Sequence, residues 1–329
     1  MQINIVNSEK DPLLLDDVKK AIAALPDNGG VWDVANPQNV VVVLEAICAK
    51  LNDALELQKA YENENICNVG VEYEEGEKDM LCSLDNLFKE WKSKLPDDEK
   101  ELFNRDGFYP GYSRQKVRIL FVGREACYMA GRNYIEYMYS SFQSGRIGEW
   151  TVNQYPFHRR QAYIAYGILE SLKGGLKWQW PRWGDVPPAS EICKGVGEKD
   201  NYSWAFINLS KLSNETGDYR TDGNRYWPFV NNKENQCFLK KQISILNPDI
   251  IIGANVPELA DILCYGTPDT DNVNCYAYYK KGLPLFLNCY HFAAIKGDEK
   301  FFYEPVGEVL GKKLSELKEA MEIEKRICF

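Results

Sequence analysis

Four short stretches of this chain hold residue types able to do chemistry. The first is Gly123-Arg124-Glu125-Ala126-Cys127-Tyr128, directly after the apolar run Arg118-Ile119-Leu120-Phe121-Val122. A carboxylate on such a strand-end loop can orient and activate a water; the same glutamate also suits a salt bridge to a nearby arginine. The second is Asn208, set in the otherwise apolar Ala205-Phe206-Ile207-Asn208-Leu209. A buried amide must find partners for its donor and acceptor, so it either ties down a loop or reads an amide-like edge such as that of a base. The third is His291, in Asn288-Cys289-Tyr290-His291-Phe292-Ala293-Ala294-Ile295-Lys296. A neutral imidazole there can donate to developing negative charge, or simply fill a core position. The fourth is Phe157-His158-Arg159-Arg160, where two arginines at the opening of a helix either meet phosphate or stay solvated.

Elements of two kinds must position these residues. Four apolar runs read as strands: 118–122, 204–209, 250–252 after Asn247-Pro248-Asp249, and 283–289. Helical patterns separate or follow them at 157–172, 238–246, 257–264 and 306–326. Strands alternating with helices predict a parallel sheet covered on both faces, a three-layer α/β/α sandwich on four strands over residues 106–329. In such sheets ligands gather at the carboxyl ends of the strands, where three of the four stretches fall. Residues 1–105 read instead as a mostly helical region. A helix is expected over 40–62, opened by Asn36-Pro37, and another over 84–95, with an acidic loop at 72–79 between them. Residues 173–200 follow neither period.

Charge separates the same two regions. The chain carries a net −9, and residues 1–105 alone hold 22 acidic against 11 basic residues, a net −11, leaving the rest at +2. The larger region is thus compatible with a phosphate backbone, and the acidic one with a protein partner. Ten cysteines occur without a Cys-x-x-Cys pair, and there are only two histidines, so reduced cysteines and no metal site are expected. No apolar run approaches the roughly 18 residues of a membrane span, and the first residues lack a signal-peptide layout. A soluble, cytoplasmic protein is expected. Phosphate-loop, dinucleotide-turn and nucleophile-elbow motifs do not occur, which disfavours nucleotidase, dehydrogenase and serine-hydrolase chemistry.

The order of an acidic loop after the first strand, an asparagine ending the second and a histidine loop after the fourth resembles the uracil-DNA glycosylase superfamily over about residues 106–320. In its best-known branch the first loop reads GQDPYH, and Gly123 to Tyr128 align with it, so the resemblance gives Glu125 the part of the water-activating aspartate. It gives Asn208 the part of the asparagine that binds the uracil edge, beside Gly123. The last loop of the family, HPSPL, matches His291 to Ile295 in length. This implies that His291 stabilises the departing base and Ile295 wedges into the duplex, with Lys296, Arg159 and Arg160 near DNA. Tyr128 or Phe142 would stack on the flipped base. No cofactor is expected, since Cys48, Cys67 and Cys82 lack the spacing of the iron–sulfur branches.

The resemblance implies a DNA N-glycosylase that flips uracil or another damaged base out of the duplex. Glutamate in place of aspartate, and a last loop without prolines, motivate a second expectation. This is a non-catalytic binding protein on the same fold, recognising nucleic acid, a nucleotide or a protein, with residues 1–105 as a docking surface.

Overall fold

Runs of branched and aromatic residues, the central four with a glycine or asparagine at the last or next-to-last position, assemble into one six-stranded sheet. The computed structural model describes residues 71–173, 178–198, 201–217, 220–269 and 272–322. The chain divides into two compact units, Met1–Cys67 and Asn68–Phe329, and the described residues belong to the second. The helix expected over 40–62 lies outside them.

The strands are β1 (Gly107–Phe108), β2 (Ile119–Gly123), β3 (Ala205–Asn208), β4 (Ile250–Ala254), β5 (Cys275–Tyr278) and β6 (Leu285–Cys289), in the order β1-β3-β2-β4-β6-β5. The central four are parallel, and β1 and β5 add antiparallel edges. The sheet is therefore six-stranded rather than four-stranded: the four expected strands are its parallel centre. The edges escape sequence reading because β1 is only two residues long and β5 exposes Tyr276 within an apolar stretch.

Alternation along the strands sends side chains to two cores. Ile119, Phe121, Phe206, Ile250, Ile252 and Leu287 face one side; Leu120, Val122, Ile207, Ile251 and Phe286 face the other. Helices cover both faces, as buried parallel strands require. On the first side lie α2 (Tyr134–Ser144), α3 (Pro156–Lys173), α4 (Ala189–Lys194), α8 (Glu304–Lys312) and α9 (Leu314–Glu322). On the second lie α1 (Glu75–Lys94), α5 (Gly223–Asn231), α6 (Lys233–Leu246) and α7 (Glu258–Ile262).

Three differences from the sequence pattern have local causes. Of the acidic stretch 72–79 expected as a loop, residues 72–74 are non-helical and 75–79 are the start of α1, where Glu75 and Glu77 sit favourably at the helix N-terminus. Glu77 is also buried, its carboxylate accepting the backbone N–H groups of Gly111 and Ser113 at 3.0 Å each. The last helix is broken at Lys313 into α8 and α9. Finally, α2 has no counterpart among the expected helices. Its first turn is capped by Asn133, whose Oδ1 accepts from Ile135 and Glu136, and it ends on Gly145 in the left-handed conformation.

α1 packs with the sheet. Trp91 is fully buried, its ring stacked 5.4 Å from Phe238 and 5.9 Å from Phe229, and its Nε1 donates to Asn235 at 2.8 Å. Cys193, Cys275 and Cys289 are buried thiols, whereas Cys82, Cys237 and Cys264 are exposed.

Candidate functional site

Register brings the singled-out residues to one rim. Gly123 pairs with Asn208 across β2 and β3, and Gly253 with Asn288 across β4 and β6, so the loops after all four parallel strands leave the same edge. Gly123 is the floor of the site. A Cβ there would lie 2.7 Å from Asn208 Oδ1, 3.1 Å from Phe206 Cζ and 3.5 Å from Phe157 Cζ, so only glycine lets the amide lie across the strand end.

Asn208 is buried, and its Nδ2 has no hydrogen-bond partner among the described residues. A buried amide donor left unmade costs about 1–3 kcal/mol, which makes this the site's clearest demand for a ligand or water. Its backbone, by contrast, is fully held. The N–H donates to Asp106 Oδ2 at 2.7 Å and the C=O accepts from Lys211 Nζ at 2.8 Å.

Phe157, the second residue of α3, links the Gly123 end of β2 to the histidine loop. Its ring lies 5.9 Å from Phe206, 5.5 Å from His291 and 5.7 Å from Phe292. Nδ1 of His291 accepts the N–H of Ala293 at 3.3 Å, leaving the proton of the neutral ring on Nε2. Burial, with the positive charges of Arg124 and Arg160, lowers the pKa of this imidazole and keeps it neutral.

The loop that follows is held by an arginine. Arg160 is buried and donates to the carbonyls of Phe292, of Ala294 at 2.9 Å and of Lys296 at 2.6 Å, while its Nε meets Asp298 Oδ1 at 2.7 Å. Its guanidinium also lies 4.0 Å from the centroid of the Phe302 ring. Arg159 takes the other side of Asp298, Nε to Oδ2 at 2.6 Å, and donates to the Asn153 carbonyl. The two arginines that the sequence suggested for phosphate are thus committed to Asp298 and, through Arg160, to the histidine loop. At the loop tip the side chain of Ile295 is fully exposed, and Lys296 Nζ lies over the rings of Tyr290 and Phe301.

Glu125 sits in the loop after β2, half-buried. Its Oε1 accepts from Asn214 Nδ2 at 3.1 Å and from the Asp222 N–H at 2.8 Å. Burial raises its pKa, with these two hydrogen bonds and Arg124 opposing and the Asp222 charge assisting. Arg124 bridges to the loop after β4, Nε to the Asn255 carbonyl at 3.1 Å.

The two aromatic candidates part company. Phe142 is wholly buried against Tyr109, Trp204 and His158, within the core under the sheet. Tyr128 is exposed, at a positive φ of 56°. The aromatic rings beside Gly123 are those of Phe206 and Phe157, the latter offered by the sequence only as a neighbour of two arginines. Asp106 and Lys211 also escaped sequence reading, because each is a charged residue in a polar stretch and 105 positions separate them.

Among the described residues no group of three or more His, Cys, Asp or Glu side chains is placed to hold a metal ion, and no helix is long and apolar enough to cross a membrane. No protein-family model matches the chain, and no curated protein matches it either.

Proposed function

We propose that this protein is a uracil-DNA glycosylase-like enzyme that hydrolyses the N-glycosidic bond of uracil, or of another damaged base, in DNA by base flipping. The observation that carries the reading is the Asn208 amide, buried at the sheet rim with an Nδ2 donor unpaired among the described residues, over Gly123, whose other neighbour Phe157 packs against His291.

A base within a duplex is out of reach, so it must be turned out into a pocket. Asn208 offers Nδ2–H and Oδ1 to the edge of that base, and the Phe157 ring offers an apolar face beside it. Water attacks the anomeric carbon, the carbon–nitrogen bond breaks, and its electron pair leaves with the base. Nε2–H of His291 donates to the oxygen on which that charge collects. The carboxylate of Glu125 faces the cationic sugar and takes the proton of the attacking water. Ile295 fills the space the base has left in the duplex.

Release of free base from a uracil-containing oligonucleotide, suppressed by His291→Ala and by Asn208→Ala, is the expected result. No release from any oligonucleotide in a panel of modified bases, at enzyme in excess of DNA, overturns the reading.

A second reading has one observation of its own. Glu125 already accepts two hydrogen bonds from the segment after β3, a bracing role that needs no catalysis. A lapsed binding protein would retain modified DNA without cleaving it, and Glu125→Gln would leave the affinity unchanged.

A further inference from the structure

β1 is two residues long, so the antiparallel ladder beside β3 runs out before Asn208. Asp106, the residue just before β1, supplies a side-chain oxygen where the next backbone carbonyl would have been, 2.7 Å from the Asn208 N–H. Lys211, three residues beyond Asn208 and fully buried, donates to both oxygens of Asp106 at 2.8 and 2.7 Å and to the Asn208 carbonyl at 2.8 Å. Those bonds occupy all three ammonium protons. Gln242 of α6 donates to Asp106 Oδ1 at 2.7 Å, and Asn104 donates its N–H and its Nδ2 to the Lys211 carbonyl at 2.8 and 2.9 Å. A buried ion pair is a poor source of stability, because apolar residues of similar volume commonly serve as well or better. The use of this one lies in what it holds. Asp106 and Lys211 both bind the backbone of the residue whose side-chain Nδ2 has no partner among the described residues.

We infer that Asp106 and Lys211 are positioning residues: by pinning the peptide groups on both sides of Asn208, they aim its side-chain amide over Gly123 at the bound base. What is bound rests on the glycosylase reading; the pinning does not.

Two arms of one experiment on the full chain separate these. Lys211→Met leaves a buried unpaired carboxylate, so the double variant Asp106→Asn/Lys211→Met, which removes both charges at nearly constant volume, is tested beside it. In single-turnover release of uracil from a uracil-containing oligonucleotide, the rate should fall about 100-fold, as displacement of a reacting group by an ångström does, with DNA affinity unchanged. Adding Asn208→Ala to the double variant should cost nothing beyond Asn208→Ala alone. Losses that simply multiply would mean a general structural role and overturn the inference. The second arm is the ¹H–¹⁵N spectrum. The Asn208 backbone amide should lie far downfield in the wild type, because a carboxylate accepts from it, and move upfield in the double variant. Its side-chain NH₂ pair, assigned by its loss in Asn208→Asp, should shift with it. A side-chain pair that stays in place overturns the inference whatever the activity. A wild type that releases no base removes only the glycosylase reading, and the spectrum then decides.

Discussion

Three side chains divide the proposed chemistry among themselves, and each makes a separate demand. A hydrogen bond aimed at developing charge is worth about 3 kcal/mol of barrier, so Asn208→Ala or His291→Ala should each slow base release about 100-fold in single-turnover assays. The dependence on pH follows from two opposite shifts. His291 has a lowered pKa, so it is already neutral near pH 7 and places no limb there. Glu125 must be ionised to act, and burial raises its pKa. Activity should therefore be lost as pH falls through a value above the ordinary glutamate pKa of about 4.3, and Glu125→Gln should abolish that limb along with most of the rate. An acid limb that survives in Glu125→Gln, measured on the residual rate, would assign the titration elsewhere. Asn208 was legible in the sequence because an amide inside an apolar strand is conspicuous. Its supports were not. Nothing marks Asp106 or Lys211 as buried until β1 is seen to hold only Gly107 and Phe108, and the lysine resembles any charge after a strand.

Loop rigidity is a property of elements, and here it comes from an arginine on α3 rather than from prolines. Arg160 donates to three alternate carbonyls of the loop after β6, and a planar fork is the only basic side chain that reaches several acceptors in fixed directions. Arg160→Leu should raise hydrogen exchange across residues 291–297 and slow base release about tenfold, while Arg160→Lys restores the charge but not the protection. The stability cost should be about 2 kcal/mol, the range for unmade hydrogen bonds, rather than that of an orphaned buried charge, because Arg159 still pairs with Asp298. Unchanged exchange in the loop would remove the clamp. At this scale the parallel strands were readable, since Ile119–Gly123, Ile250–Ala254 and Leu285–Cys289 are wholly buried and so wholly apolar until their ends. α5 was not readable, because only Tyr226, Phe229 and Val230 of its nine residues are buried and the period is too short to register.

At the scale of the described fold, α3 carries Phe157 of the site and His158 of the core side by side, and that junction should govern tolerance of acid. His158 follows Phe157 on α3 and is enclosed by Tyr134, Phe142, Tyr155 and Phe157. Burial pulls its pKa from 6.5 to about 3. The unfolded chain therefore binds a proton at this residue below pH 6.5 that the folded chain refuses until about pH 3. Unfolding takes up a proton within that window, so stability is fully present above it and declines as pH falls through it. A shift of this size corresponds to about 5 kcal/mol at its acid end, a large part of the 5–15 kcal/mol of an ordinary domain. Glu125, with a raised pKa, acts in the opposite sense, since its protonation favours the folded state. Urea unfolding of the wild type and of His158→Phe at pH 7 and at pH 4 isolates the histidine, because phenylalanine fills the aromatic enclosure without titrating. The wild type should lose several kcal/mol more than the variant between the two conditions. Equal losses would mean that His158 takes up its proton without unfolding, and that the aromatic enclosure around it admits water.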